Sequence, residues 1–263
     1  KIKKNKKNFK KKYSNILTMT LPYQLTEGQK QIINEIEIDL ASPQRMFRIL
    51  QGDVGSGKTI ISIMAALDVI EAGYQCGLMA PTTILAEQHY TLFKKLFEKI
   101  DLKINFALLT GKTDLKEKKE ILENLRNKKI DFLIGTHALF QKIIIFNKLG
   151  LVIVDELHKF GVQQRINFAK KGGSNCDILL MSATPIPRTM MMSIYGDMDT
   201  SRLTEKPKQR RKIITLSKPE DKIDELWPFI KRKIDEKEQI FWVCPLIEDS
   251  SKLDFSSTSR LFE

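Results

Sequence analysis

Cysteine, histidine and tryptophan are scarce in this sequence of 263 residues, which contains three, three and two of them respectively. The cysteines, Cys76, Cys176 and Cys244, have neither paired spacing nor the spacing of metal ligands, so the sequence indicates no disulfide framework and no zinc site. No apolar run approaches the roughly 18 residues that a membrane-spanning helix needs. The first residues also lack the apolar core of a signal peptide. We therefore expect a soluble, cytoplasmic protein.

Basic residues outnumber acidic ones, 44 to 32, which gives a formal net charge of +12. Eight lysines lie within the first twelve residues, and subtracting them from +12 leaves only +4 for the rest of the chain. We expect residues 1–20 to form a Lys-rich, disordered tail, because a short run of this composition is typically solvated. A nucleic-acid-binding arm is the alternative interpretation. The overall charge is thus a weak argument for a DNA partner.

Hydrophobic residues make up 42% of the sequence, which is enough to bury a substantial core. Short apolar runs alternate with longer stretches of helical pattern, which predicts crossover units and a doubly wound, mostly parallel α/β sheet. The predicted strands are residues 47–51, 75–80, 104–109, 131–135, 151–155 and 178–182.

Three segments follow the tail. Residues 21–200 are predicted to form one α/β domain, and residues 201–217, which are charged and contain Pro207, a linker or surface hairpin. Residues 218–263 are predicted to begin a second domain with a helix over 220–237 and a strand over 239–244. That second domain is expected to be incomplete.

The strongest motif is G-D-V-G-S-G-K-T, which matches the P-loop pattern G-x-x-x-x-G-K-[ST] in full. Its glycines allow backbone N–H groups to face phosphate oxygens, and the following helix adds its positive end. We expect Lys58 to reach the β- and γ-phosphates of a nucleotide and the Thr59 hydroxyl to bind Mg²⁺. The nucleotide-binding residues are Gly52, Asp53, Val54, Gly55, Ser56, Gly57, Lys58 and Thr59.

An acidic pair, Asp155 and Glu156, follows the apolar run at 151–154. A phosphate-bound Mg²⁺ needs an acidic anchor, and hydrolysis needs a group that orients water. We assign Asp155 to the metal and Glu156 to the attacking water. A plain strand end or helix cap is the alternative, and the P-loop upstream argues against it.

Two weaker patterns accompany these motifs. Ser182 and Thr184 end the next predicted strand and could bond the acidic pair, although a polar strand end explains them equally well. Thr26 and Gln29 form a capping-box pattern at a helix start. Gln29 could in addition read adenine, with Tyr23 as a stacking partner.

Together these motifs resemble the first motor lobe of superfamily 2 DExH helicases. Residues 52–59 resemble motif I, residues 155–158 motif II and residues 182–184 motif III. The resemblance implies a RecA-like P-loop lobe that uses ATP and Mg²⁺, followed by the start of a second such lobe. Residues 158–165 and 182–189 are similar to the RecG family and to Mfd-like translocases, while residues 194–199 and 241–248 favour RecG.

The resemblance also implies roles for single residues. His158, Ser182 and Thr184 would couple ATP to the second lobe, although a lone histidine at a strand end is usually structural. Thr82, Thr110 and Thr136 would contact the DNA backbone, which positions a strand without reading its sequence. Their alternative is simple turn chemistry.

The implied function is ATP-driven remodelling of branched DNA, such as forks and four-way junctions, in recombination and repair. Leu157 departs from the family pattern, which usually has Gln at this position. A wedge domain and the arginine of the second lobe are missing, so we expect the chain to be a poor ATPase by itself. The alternatives are a nucleotide-gated DNA-binding module, an inactive remnant and, among enzymes, an Mfd-like duplex translocase. We expect a monomer, or a chain that acts together with the missing helicase parts.

Overall fold

Strands and helices alternate along the chain, as the apolar runs predict. The computed structural model describes residues 2–98, 102–156, 173–184, 198–205 and 214–243. Its strands are β1 (Phe47–Gly52), β2 (Gln75–Met79), β3 (Phe106–Leu109), β4 (Phe132–Gly135), β5 (Leu149–Val154), β6 (Asp177–Ser182) and β7 (Asp199–Leu203). Its helices are α1 (Lys12–Thr20), α2 (Glu27–Ala41), α3 (Lys58–Glu71), α4 (Thr83–Phe97), α5 (Leu115–Arg126) and α6 (Trp227–Asp235). Among these described residues no helix is long and apolar enough to cross a membrane.

The strands form one sheet in the order β3-β4-β2-β5-β6-β1-β7. Each neighbouring pair is parallel. The predicted mostly parallel α/β sheet is confirmed, and the six predicted strands correspond to β1 to β6. Since all seven strands run in one direction, every carboxyl end lies at the same edge of the sheet.

Helices pack against both faces of the sheet. Because successive side chains of a strand point to opposite faces, neighbouring strand residues belong to different cores. Leu50, Leu78 and Ile153 belong to a core shared with the buried residues of α1 to α4. Their chain neighbours Ile49 and Met79 belong to a second core, which is shared with α5. The continuous apolar runs of the sequence therefore reflect strands that are buried on two sides.

The Lys-rich segment packs against this lobe, which corrects the expectation of a disordered tail for residues 2–20. The side chains of Lys4 and Lys7 are buried, and each ammonium lies within 2.7 Å of a carboxylate oxygen of Asp177. Asp177 also accepts a hydrogen bond from the backbone N–H of Met46 at 2.6 Å. The charge count over the first twelve residues could not reveal this ion pairing, because Asp177 is 170 residues or more away in sequence.

Helix α1 extends the same attachment along α3. Leu17 is fully buried, and the Ser14 hydroxyl donates to an Asp68 carboxylate oxygen at 2.7 Å. Glu71 accepts hydrogen bonds from the backbone N–H groups of Lys10 and Lys12, each at 2.8 Å. Residues 2–20 are therefore an integral part of the α/β unit.

The region predicted as a linker begins inside the sheet, because Asp199–Leu203 forms the edge strand β7. This strand was missed since it contains one large apolar residue, Leu203, and polar contacts hold it in place. The Ser201 hydroxyl accepts a hydrogen bond from the Arg48 guanidinium at 2.7 Å and donates to Glu35 at 2.5 Å. The compact unit spans Lys1–Arg210, and Arg211–Glu263 forms a second one.

The second unit contains less regular structure than the sequence predicts. Instead of one helix over 220–237, a 3-10 segment (Glu220–Leu226) precedes α6. Pro228 lies in the first turn of α6, where its missing N–H is tolerated, whereas it would interrupt a longer helix. The described residues of the predicted strand, 239–243, carry no strand pairing, although Trp242 stacks on Trp227 with ring centroids 5.4 Å apart.

Replacing Lys4 and Lys7 together by alanine should destabilise the protein by about 3–5 kcal/mol, because a buried charge that loses its partners is costly. Urea denaturation of the double variant beside Lys3→Ala/Lys6→Ala measures this difference. Lys3 and Lys6 are exposed, so their replacement should change the free energy of unfolding by about 1 kcal/mol or less. Equal stability of the two double variants would contradict the packed arrangement.

Burial raises the pKa of Asp68 from 3.8 to about 7 despite the hydrogen bond from Ser14. The folded state therefore retains a proton that the unfolded chain releases. Asp68 should lower the free energy of unfolding by about 1.4 kcal/mol per pH unit as the pH rises from about 4 to about 7. Asp68→Asn should remove this slope in urea titrations, while Glu120→Gln, at an exposed site, should retain it. An unchanged slope in Asp68→Asn would assign the pH dependence to other groups.

Candidate nucleotide and DNA-backbone site

The P-loop lies where its pattern predicts, between strand β1 and helix α3. Two of its glycines have positive φ angles, +75° at Gly55 and +96° at Gly57, a region that other L-residues enter at a cost. A Cβ atom on Gly57 would come within 2.3 Å of the Gln29 side-chain nitrogen. Gly57 is therefore required both by the backbone and by its neighbour.

Lys58 is the first residue of α3, and its ammonium turns back over the loop. It donates hydrogen bonds to the carbonyl oxygens of Gly52 at 2.6 Å and Asp53 at 3.0 Å. Burial lowers the pKa of Lys58, while Glu156, Asp155 and Asp53 act in the opposite direction. The cation is thus held at the mouth of the loop near both acidic candidates, and Thr59 follows it in the first helical turn.

Gln29 lies directly against the P-loop. The capping box is confirmed: the Thr26 hydroxyl accepts from the Gln29 backbone N–H at 3.2 Å, and the Gln29 side-chain oxygen accepts from the Thr26 N–H at 2.9 Å. Its side-chain nitrogen also donates to the Ser56 carbonyl at 2.8 Å. This buried residue therefore braces the P-loop, which the sequence did not predict. Adenine reading by Gln29 and Tyr23 stays a prediction.

The acidic pair follows β5 directly. The Asp155 backbone N–H donates to the Met79 carbonyl at 2.8 Å, which extends the β2–β5 pairing by one residue. One Asp155 carboxylate oxygen accepts the Glu156 backbone N–H at 3.0 Å. Glu156 has a φ angle of +50°, an uncommon value for a residue with a side chain. Such a conformation persists only where the surroundings impose it, as at functional sites.

His89 is a member of this site that the sequence analysis missed. Its Nε2 lies 2.7 Å from the second carboxylate oxygen of Asp155. It lies on α4 between the buried residues Ala86 and Phe93, on the face that helical periodicity assigns to the core. A histidine at a core position of a helix was the only available signal, and it does not identify a partner 66 residues away.

Ser182 ends β6, between the strands that carry the P-loop and the acidic pair. It is fully buried, and its hydroxyl contacts the Thr184 carbonyl oxygen at 3.0 Å and the Thr184 hydroxyl at 3.2 Å. The two predicted coupling residues therefore bond each other, and their predicted bonds to the acidic pair stay a prediction. His158 lies outside the described residues.

The three threonines lie at adjacent strand ends. Thr82 follows β2 and caps α4 by accepting the Leu85 backbone N–H at 3.3 Å. Thr110 follows β3, where its hydroxyl accepts from Lys112 N–H at 3.2 Å, and Thr136 follows β4. Only Thr82 is exposed; Thr110 and Thr136 are buried. The hydroxyls of Thr82 and Thr110 thus have turn roles here, and the phosphate contacts of all three threonines remain predicted.

The strand order divides the carboxyl edge of the sheet into two halves. The strands β3, β4 and β2 lie side by side and end at Thr110, Thr136 and Thr82. The strands β5, β6 and β1 lie side by side and end at the acidic pair, Ser182 and the P-loop. Residues scattered over the sequence are therefore sorted into two adjoining regions, one with the nucleotide candidates and one with the backbone-contact candidates.

Comparison with known proteins agrees with this arrangement. The model of the DEAD/DEAH box helicase family matches residues 26–193. The chain is 46% identical over 244 residues to the ATP-dependent DNA helicase RecG of Thermotoga maritima, covering 93% of this chain and 31% of the relative. It is 45% identical over 243 residues to RecG of Bacillus subtilis, covering 92% of this chain and 35% of the relative. The chain thus spans about a third of these relatives.

Solved structures give the same result for the fold. A structure of RecG bound to a three-way DNA junction superposes with a TM-score of 0.78 at 41% identity, covering 89% of this chain and 31% of that one. A DEAD box protein from Methanococcus jannaschii shares the fold alone, with a TM-score of 0.57 at 20% identity over 78% of this chain and 56% of that one. The RecA-like helicase fold is therefore confirmed.

Gln29→Glu should weaken Mg²⁺-nucleotide binding about tenfold or more, because it replaces the donor to the Ser56 carbonyl by an acceptor and leaves buried groups unsatisfied. Glutamate still satisfies a capping box, so a residue that only caps α2 would tolerate the change. Fluorescence titration with a labelled ATP measures the affinity. Gln31→Glu, at an exposed site of the same helix, should leave it unchanged. Wild-type affinity in Gln29→Glu would limit Gln29 to capping.

Proposed function

The chain belongs to the DEAD/DEAH box helicase family, and from this membership we propose that it is the ATP-binding motor lobe of a RecG-type helicase that acts on branched DNA. The observation that carries the proposal is the divided sheet edge, with the P-loop and acidic pair on one half and three threonines on the other. Forks and four-way junctions in recombination and repair are the proposed substrates. The similarity to RecG over more than nine tenths of this chain supports that choice.

The residues present fit ATP with Mg²⁺. Hydroxyl and carboxylate oxygens, which Thr59 and Asp155 supply, are the ligands that Mg²⁺ prefers, together with phosphate oxygens and water. Among the described residues no group of three or more His, Cys, Asp or Glu could hold a metal, so the nucleotide and water would have to supply the remaining ligands of the proposed Mg²⁺. Bound Mg²⁺ would neutralise charge on the phosphates during transfer.

The residues of the chain would divide the remaining work. Lys58 would leave its two carbonyl partners for the β- and γ-phosphates, and the N–H groups at the start of α3 would face the same oxygens. Glu156 would orient the attacking water. Burial disfavours the charged form of Lys58 and lowers its pKa. Anionic phosphate oxygens would offset this cost better than neutral carbonyl oxygens do.

The half of the sheet edge with the three threonines would bind the phosphate backbone of one DNA strand, whatever its base sequence. Thr82 is exposed at the start of α4, where helix N–H groups and a hydroxyl can donate to a phosphate. Thr110 and Thr136 would act from the two neighbouring strand ends.

Lys58→Ala should abolish binding of labelled ATP at micromolar nucleotide, because it removes the cation that meets the phosphates. The experiment measures binding and ATP hydrolysis by the 263-residue chain with and without a synthetic four-way junction. Lys116→Ala, at an exposed site on α5, is the matched control and should bind normally.

The outcomes separate three functions. Junction-stimulated hydrolysis that Lys58→Ala abolishes identifies a working motor lobe. Binding that depends on Lys58 without hydrolysis identifies a nucleotide-gated DNA-binding module. Absence of Lys58-dependent nucleotide binding contradicts the proposed function and leaves an inactive remnant.

A further inference from the structure

The side-chain contact between His89 and Asp155 is well protected from solvent. The side chains are 9% and 13% exposed, and the two atoms are 2.7 Å apart. A carboxylate only accepts hydrogen bonds, so Nε2 of His89 is the donor. The bond therefore fixes one oxygen of Asp155, while the Glu156 backbone N–H fixes the other.

Helix α4 holds His89 in a defined place. One turn further along, Phe93 stacks on Phe132 of β4 with ring centroids 4.7 Å apart, and Phe97 packs edge-on against Phe93. At its start the helix is capped by the Thr82 hydroxyl. Since both ends are anchored on the half of the sheet edge with the three threonines, the imidazole approaches Asp155 from a rigid support.

The strand order places this contact at the boundary between the two halves of the edge. Strand β2 leads into Thr82 and α4, while its neighbour β5 leads into Asp155. The bond from His89 thus crosses from the half with the three threonines to the half with the nucleotide candidates. Helix α4 begins beside Thr82, a candidate phosphate contact, and two turns later it carries His89, the hydrogen-bond donor to the candidate metal ligand Asp155.

We propose that His89 is a positioning residue that orients the Asp155 carboxylate for Mg²⁺-nucleotide and links it to the helix capped by Thr82. The proposal rests on the proposed function, because it assigns Asp155 to the metal. A carboxylate has about four lone-pair sites. The two hydrogen bonds engage one site on each oxygen and leave the others for a metal or its water. Loss of such an outer partner typically weakens metal affinity about 10- to 100-fold.

The test is a Mg²⁺ titration of labelled-ATP binding by the whole 263-residue chain. His89→Ala should raise the Mg²⁺ concentration at half-saturation about tenfold or more, while binding in excess chelator stays as in the wild type. His89→Gln should restore much of the loss, because its side-chain nitrogen can reach the position of Nε2. Gln88→Ala, at an exposed neighbouring site on α4, should behave as wild type.

His89→Leu places an apolar side chain without a hydrogen-bond donor in the buried site. If His89→Ala fails to fold, the Leu and Gln variants test the proposal instead. Wild-type Mg²⁺ dependence in His89→Leu overturns the proposal, and so does an equal shift in the Leu and Gln variants, which would assign His89 to packing. A wild-type chain without Lys58-dependent binding instead overturns the proposed function. The two failures are therefore distinguishable.

Discussion

The common direction of the seven strands is the constraint on which the site depends. Parallel strands need crossover connections, and each crossover returns the chain so that every strand ends at the same edge. Loops that are far apart in sequence, such as those after β1 and β5, therefore meet without any long-range motif that encodes their proximity. The order of the strands, with β2 and β5 as neighbours at the centre, then decides which loops adjoin.

The fold was largely predictable from the sequence because its information is local. Continuous apolar runs identify strands buried on both faces, and the P-loop pattern identifies its own strand, turn and helix. The edge strand β7 was not predictable in this way, since Arg48 and Glu35 hold Ser201 through polar contacts from other elements. Its sequence resembles a linker because an edge position requires few apolar side chains.

The candidate site was predictable where one residue type has one chemical use, as for Lys58 and the acidic pair. It was less predictable where a residue serves two neighbours. Gln29 satisfies the start of its own helix and also the Ser56 carbonyl, so the capping box hides the second bond. His89 is similar, because its helix position indicates burial and only the tertiary structure supplies Asp155.

The ion pairs of Lys4 and Lys7 with Asp177 show that the packed lobe extends towards the N-terminus beyond the residues that the family model matches. The family model matches from Thr26 onward, yet Asp177 at the start of β6 pairs with Lys4 and Lys7. A lobe excised at residue 26 would leave the buried Asp177 carboxylate without its two ammonium partners. Transfer of this lobe from one helicase to another would therefore have to include Lys4 and Lys7, or replace Asp177 by an uncharged residue.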